Sequence, residues 1–317
     1  GVYSIELKLN GETIYLAAWE RFFFHHSRGI NSHLDYPSLL KSGVRIQKSF
    51  IEPGNPLTIY KKAIDNGLIR LRDNEVHSLE YLVKDASGNT STLAFKVKKT
   101  ASPGSQNTAL PGVAAFKLAN VNEFKSPNFR ILVPQGNLYS DLDFRYSTSP
   151  KPRGGYSLIH HVHTRLIPVH DRYDVWIKPD ASLPENLYSK ALIVNTNRAS
   201  QGGTYEDGYL KGALRAFGSF YIAVDTVPPT ITPLNVSNGK SMKGIKRLSF
   251  KISDNLSGIR SFRASLNGKW VLTEYDLKTR SLWYTFDERT IAGKNAFQLV
   301  VTDMKLNQRI YNVTFYR

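Results

Sequence analysis

Short stretches of apolar–polar alternation run the length of this chain, and each is closed by Gly, Asn, Asp or Pro. A period of two places successive side chains on opposite faces of a strand. The pattern therefore predicts β-strands over residues 3–9, 57–60, 78–84, 92–97, 173–178, 190–194, 218–224, 248–253, 296–302 and 310–316. Helical signals are poor. Apolar residues at i, i+3, i+4 and i+7 never persist for three turns without Gly, Pro or a β-branched cluster, which leaves two short helical segments near 36–41 and 60–66. Many short strands between turns predict an all-β chain of tandem Ig-like β-sandwich domains.

The strand pattern repeats. Residues 1–11 align without a gap on 258–268, and both copies end on an Asn-Gly pair, Asn10-Gly11 and Asn267-Gly268, the composition of a tight hairpin turn. A second shared phrase follows each. Asp85 to Asn89 and Asp303 to Asn307 read strand, Asp, three residues, Asn, strand, with the Asp suited to accepting backbone N–H groups. The spacing between the two phrases differs, at 74 positions from Gly11 to Asp85 and 35 from Gly268 to Asp303. The first copy thus carries an insertion of about 39 residues, expected near 20–71, that holds Phe22, Phe23, Phe24, His25, His26 and His33. An insertion so rich in aromatic residues is expected to dock a neighbour. The second copy has a run-up, 225–257, that the first lacks, so the first domain is expected to be incomplete at its N-terminus. Turn formers at 100–112 and the Pro228-Pro229 pair within 225–231 mark linkers, which gives domains at 1–100, 101–224 and 225–317. The middle segment lacks the repeated phrase and closes on the apolar run 218–224.

Composition narrows what such a chain does. An apolar content of 41 % supports packed cores, and no apolar run approaches the ~20 residues of a membrane helix. The absence of Cys removes disulfides, thiolate metal sites and a Cys nucleophile together. It also suits an oxidising bacterial compartment, so a periplasmic, cell-envelope or extracellular location is expected. The net charge is +16, of which 225–317 contributes +8 from 15 basic and 7 acidic residues. That field favours anionic cell-wall or membrane polymers in a salt-sensitive way. No helix-turn-helix, zinc finger or basic-aromatic motif points to nucleic acid.

Chemistry is harder to find. The densest cluster is His160-His161-Val162-His163, followed by His170 and Asp174. On a strand His161 and His163 share a face, as a metal pair requires, with His170 or Asp174 as a third ligand. The same residues also suit an ordinary sheet edge, and no HExxH accompanies them. His25, His26, His33 and Asp35 match no ligand spacing. Asp141 with Asp143 and Glu206 with Asp207 are paired carboxylates whose chemistry depends on their separation in space. No Gly-x-Ser-x-Gly elbow, Walker loop or GxGxxG is present, and the turn-rich loop 202–208 suits at most a sugar. Catalytic residues, metal ligands and cofactors are therefore expected to be absent from this chain.

Asp254-Asn255-Leu256-Ser257-Gly258-Ile259, with Leu266 to Trp270 after it and Asp225 to Pro229 before it, resembles the Ig-like repeats of bacterial envelope proteins. Residues 2–15, Asp35-Tyr36-Pro37, 45–55, Asp85 to Asn89 and 218–229, taken in order, are similar to the C-terminal region attached to some lysostaphin-type zinc metalloendopeptidases. The resemblance implies a zinc-dependent peptidase domain upstream of Gly1 that cleaves peptidoglycan crosslinks. The family's ligands are an H-x-x-x-D and a later H-x-H in Gly-rich surroundings. Here His161-Val162-His163 comes before His170 and Asp174, without those surroundings, so the zinc ligands are not carried over. The expected function is a noncatalytic accessory or targeting region that positions or gates the upstream peptidase domain. The alternative is a free-standing adhesin or carbohydrate-binding β-sandwich protein, and an enzyme using the His160 to Asp174 cluster comes third. An open sheet edge in the first domain favours the accessory reading, because an upstream segment or partner must cover it. A ring-stacking groove on an exposed sheet favours the alternative, and a bound metal the enzyme.

Overall fold

The computed structural model describes residues 1–21, 23–100 and 112–317. Phe22 and most of the expected 100–112 linker lie outside the described residues. Strands hold 47 % of the residues and helices 9 %, so the chain is all-β and built of tandem β-sandwich elements. It divides into two compact units. One is Gly1–Thr148 with His160–Val175 and Ala213–Ser219; the other is Ser149–Ile159 with Trp176–Gly212 and Phe220–Arg317.

In the first unit the N-terminal repeat forms one five-stranded sheet. Its order is Tyr60–Ala63, Glu12–Ala18, Val2–Leu9, Val76–Asp85, Thr90–Lys98. Asn10 (φ 50°) and Gly11 (φ 82°) both take the left-handed conformation that a two-residue hairpin turn needs. Leu7, Tyr15, Ala17 and Leu79 project from the inner face, and Leu57 and Ile59 from the insertion cover them. The insertion otherwise runs through the 3-10 turn Phe24–Gly29 and the helices Ile30–His33 and Tyr36–Ser42. The helix expected near 36–41 is present and stops at Gly43, whose φ is 73°. The one expected at 60–66 is instead the strand Tyr60–Ala63 followed by a turn, because Asp65 and Asn66 adopt left-handed φ of 46° and 55°. Strand 57–60 is correspondingly displaced toward Tyr60–Ala63.

The insertion docks on the following segment of the same unit. Arg28 Nε donates to His170 O at 2.6 Å, and Nη2 donates to Val169 O at 3.3 Å and Arg215 O at 3.1 Å. Tyr139 Oη donates to the Arg28 carbonyl at 2.8 Å. Gly54 N–H donates to Tyr139 O at 2.8 Å, and a Cβ at Gly54 would lie 2.5 Å from Leu138 O, so this approach admits only glycine. Further along this unit, the hairpin Asn122–Ser126 with Phe129–Val133 and the pair Ala114–Phe116 with Leu142–Phe144 bury a stacked Phe116–Phe144 pair, 4.2 Å between centroids.

In the second unit the C-terminal repeat is a complete sandwich. One sheet runs Thr230–Pro233, Arg247–Ser253, Ser281–Thr285, Glu274–Asp276. The other runs Lys240–Ser241, Gln308–Tyr316, Lys294–Asp303, Ile259–Leu266, Lys269–Val271. Leu248, Phe250 and Ile252 meet Leu266, Leu299 and Phe315 in the core. The two repeats agree in detail. Asn267 and Gly268 take φ of 51° and 82°, and the register slips between Ile259 and Ser261 as it does between Val2 and Ser4. They differ in the facing layer. The C-terminal copy has a second sheet, whereas among the described residues the first copy has one five-stranded sheet with the insertion packed on its inner face. Also in this unit, Ala191–Asn195 pairs antiparallel with the far end of Gly218–Val224, and Thr204–Glu206 forms a hairpin with Tyr209–Leu214.

Candidate functional site

The histidines of the densest cluster are separately occupied. Strand Ile159–Val162 ends before His163, whose φ of 52° turns it out of the alternation, so His161 and His163 do not form a strand pair. His160 is fully buried, shares a 2.8 Å hydrogen bond with Tyr146 Oη and stacks on Phe129. Burial, helped by neighbouring His161, pushes its pKa down to about 4. His161 bonds Ser219 Oγ at 2.8 Å. His163 stacks on Phe144 and meets Phe217 edge-on, and burial lowers it to about 4. His170 bonds Tyr139 Oη at 3.1 Å, and Asp174 sits half-buried on Tyr173–Ile177. Among the described residues, no group of three converging His or carboxylate donors includes any of these side chains.

The other sequence candidates are likewise dispersed. His33 is buried between Tyr60 Oη and Gln47 Oε1, at 3.2 and 3.0 Å, while His25 and His26 pack edge to face. Asp35 accepts from Ser38 Oγ, Asp141 pairs with Lys117 at 3.1 Å, and Glu206 pairs with Lys211 at 3.4 Å. Asp35, Asp141 and Glu206 thus each have a local cation or turn to serve.

Two surfaces stand out instead, and both emerge from comparing the repeats. The first is the outer face of the C-terminal five-stranded sheet. Register places Trp270 opposite Ser265, Ser265 opposite Gln298, and Gln298 opposite Asn312, so these side chains share a face in one row across four strands. At about 4.8 Å per strand the row spans ~14 Å. Trp270 is 52 % exposed on an edge strand, and beside it Ser265, Gln298 and Asn312, with Asn238 and Thr314, line a groove of about 750 Å³. Gln298 Nε2 donates to Asn312 Oδ1 at 3.0 Å, which aligns the two amides. The face is uncharged along the row and framed by exposed Arg263 and Lys294. In the first repeat the matching row is Thr13, Lys8, Glu80 and Ala94, and there Lys8 and Glu80 approach to 3.8 Å as an ion pair. One scaffold carries a self-satisfied charge pair in one copy and an aromatic with amides in the other.

The second surface is the inner face of the first sheet beyond the insertion. Leu93, Phe95 and Val97 of Thr90–Lys98 align with Tyr311, Val313 and Phe315 of Gln308–Tyr316. The latter are closed in by the facing sheet, with Val313 4 % exposed and Tyr311 edge-on to Phe250. Leu93 is 62 % and Phe95 41 % exposed, and Thr90–Lys98 is the last strand of its sheet. Beside Leu93 a groove of about 460 Å³ is lined by Val2, Ile5, Val83, Arg45 and Lys48. Neither surface was legible from spacing, because cross-strand register and the missing facing layer are both set by pairing over long sequence distances.

Residues 113–225 match the Zu5-like domain family, a stretch shorter than half of the chain. No curated protein matches the sequence. Among solved structures, the fibronectin(III)-like modules of Clostridium thermocellum CbhA align over 46 % of this chain and 85 % of theirs, at 9 % identity and a TM-score of 0.23. The Bacteroides ovatus mixed-linkage glucan utilization protein SGBP-B, solved with a mixed-linkage heptasaccharide, aligns over 99 % of this chain and 60 % of its own, at 9 % identity and 0.18. A Ca2+-stabilized adhesin with which an Antarctic bacterium binds ice aligns over 100 % and 90 %, at 10 % identity and 0.19. Likenesses this distant say nothing of function.

Proposed function

We propose that this chain is a noncatalytic, glycan-binding β-sandwich region of a bacterial surface protein, and that the outer face of its C-terminal sheet is the binding platform. The observation that carries the reading is the row Trp270, Ser265, Gln298 and Asn312. Sugars present apolar ring faces and neutral hydroxyl groups. An exposed indole supplies the stacking surface, and uncharged amides and hydroxyls supply both donors and acceptors. The frame of Arg263 and Lys294, within a segment of net charge +8, suits a glycan bearing carboxylates or phosphates. The test is co-sedimentation with purified peptidoglycan sacculi and with neutral β-glucan, across a salt series. Binding to sacculi that weakens with salt, without release of soluble fragments, is expected. Trp270→Ala is expected to lower affinity about tenfold, equivalent to about 1.4 kcal/mol. Unchanged binding by Trp270→Ala, or hydrolysis of the polymer, would refute it.

A second reading rests on the open inner face of the first sheet. It makes the chain an accessory region of an envelope metalloendopeptidase, with a neighbouring segment or peptidase domain covering Leu93 and Phe95, and with zinc held by that domain. Buried apolar rows normally face another layer, and an uncovered nine-residue edge strand invites pairing. Adding the separately expressed neighbouring domain should protect the Thr90–Lys98 amides from hydrogen exchange; unprotected amides would remove this reading and leave the first untouched.

A further inference from the structure

Three carboxylates from distant parts of the sequence converge at the entrance to the C-terminal sandwich. Asp225 opens the Pro-rich crossing, Asp254 opens the loop before the repeat, and Asp303 opens the Asp-Asn turn. One carboxylate oxygen from each lies within 4.8 Å of the others. Asp225 and Asp303 are buried, at 1 % and 0 % exposure. Among the described residues none of the three has an ion-pair partner within 4.0 Å. The ammonium groups of Lys305 and Lys190 make their hydrogen bonds to other acceptors. Lys305 Nζ donates to Gly203 O at 2.8 Å, and Lys190 Nζ donates to Lys305 O and Asn307 Oδ1 at 2.6 and 2.7 Å. Lys305 interacts with Asp225 and Asp303 electrostatically, but at more than ion-pair distance, so in a chain of +16 three acids share one ammonium that contacts none of them.

Turn formation explains part of the geometry but not all. Asp303 accepts the N–H groups of Lys305 and Asn307, as Asp85 accepts those of Ser87 and Asn89 in the first repeat. Asp254 Oδ2 accepts from Leu256 and Gly258, and Asp225 Oδ2 accepts the Ser257 N–H at 2.9 Å. That leaves two oxygens without a role. Asp254 Oδ1 and Ser257 Oγ each expose less than 1 Å² and have no hydrogen-bond partner. A buried carboxylate oxygen left unpartnered beside two further buried carboxylates is unfavourable unless a cation contacts it, and Lys305 makes no ion pair with any of the three.

We propose that Asp225, Asp254 and Asp303 bind one Ca2+ ion, with the Ser257 hydroxyl beside it. The donors are all oxygen, with no His or Cys, which selects a hard cation over zinc. Ligands 2.3–2.6 Å from one ion lie at most about 5 Å apart, consistent with the observed convergence. Such an ion ties three chain segments together where Asn307 Nδ2 also donates to the Asp225 carbonyl at 2.9 Å, and so stiffens the entry to the C-terminal sandwich.

The experiment uses the full chain, stripped with EGTA, shown folded by circular dichroism, and titrated with CaCl2 by calorimetry and thermal melting. One ion per chain is expected. A site held 100-fold above its Kd adds about 2.7 kcal/mol, a rise of roughly 5–10 °C for a unit of about 150 residues. Asp254→Asn retains an oxygen for the Leu256 and Gly258 N–H groups, so it should fold normally and bind at least tenfold more weakly. No heat and no shift at 1 mM CaCl2 in the wild-type chain would overturn the proposal. So would wild-type affinity in Asp254→Asn, or an equal shift with MgCl2 at the same concentration.

Discussion

Arg28 offers the sharpest test of how the insertion is held. Its guanidinium spans three carbonyls, those of the adjacent Val169 and His170 and that of the more distant Arg215. A hydrogen bond from a charged donor contributes about 1.5–3 kcal/mol, so three would nominally give about 4.5–9 kcal/mol. Arg28 is only half-buried, and water can replace part of what is lost. Arg28→Ala should therefore cost about 2–4 kcal/mol. Arg28→Lys keeps the charge but not the planar fork, reaches one carbonyl at a time, and should fall between Ala and wild type. The Tyr139 bond goes to the Arg28 backbone carbonyl and survives in both variants. Trp19 is the one tryptophan of the first unit, so urea unfolding followed by its fluorescence, with Trp176, Trp270 and Trp283 changed to Phe, reports this unit alone. A loss below about 0.5 kcal/mol in Arg28→Ala, or full stability in Arg28→Lys, would show that the fork does not hold the insertion.

The buried histidines set a pH window. His160 and His163 are held at about 4 by burial, whereas the unfolded chain protonates them near 6.5. The unfolded state therefore binds more protons between these values, and stability should be level above pH 7 and fall from pH 6.5 toward 4, by up to about 1.4 kcal/mol per pH unit for each histidine. Carboxylates with lowered pKa, such as Asp85 and Asp141, act in the same direction only below about pH 4. Denaturant midpoints across pH 4–7 check this, and an unchanged slope in His160→Phe would contradict it. The unequal covering of the repeats predicts that Phe95→Ala costs below about 1 kcal/mol, while Phe250→Ala in the closed core costs about 3–5 kcal/mol; equal losses in thermal melts would argue that the first sheet is covered in solution. Gly54→Ala should loosen the insertion, because its methyl meets the Leu138 carbonyl at 2.5 Å, and faster proteolysis within 23–58 is the readout.

Local chemistry made much of this protein legible from its sequence. Asn10-Gly11 and Asn267-Gly268 determine hairpins because Asn and Gly tolerate left-handed φ, and alternation determines which side chains face a core. The repeated phrases foretold equivalent hairpins, to which the structure adds a shared register slip, and their unequal spacing located an insertion. What lay beyond reach were relations between strands distant in the chain. Whether His161 and His163 share a face was settled by one left-handed residue at the end of a strand. Whether Trp270 lines up with Gln298 and Asn312 depends on register across four strands. Whether Leu93 is buried depends on a facing layer that, among the described residues, one repeat has as a second sheet and the other does not. Asp225, Asp254 and Asp303 each read locally as a turn former, and only the folded chain brings their oxygens together. Backbone conformation and side-chain periodicity are short-range properties, so the sequence by itself determined the strands and turns; pairing and burial join residues up to hundreds of positions apart, so only the tertiary structure decided which surfaces stay open and which charges meet.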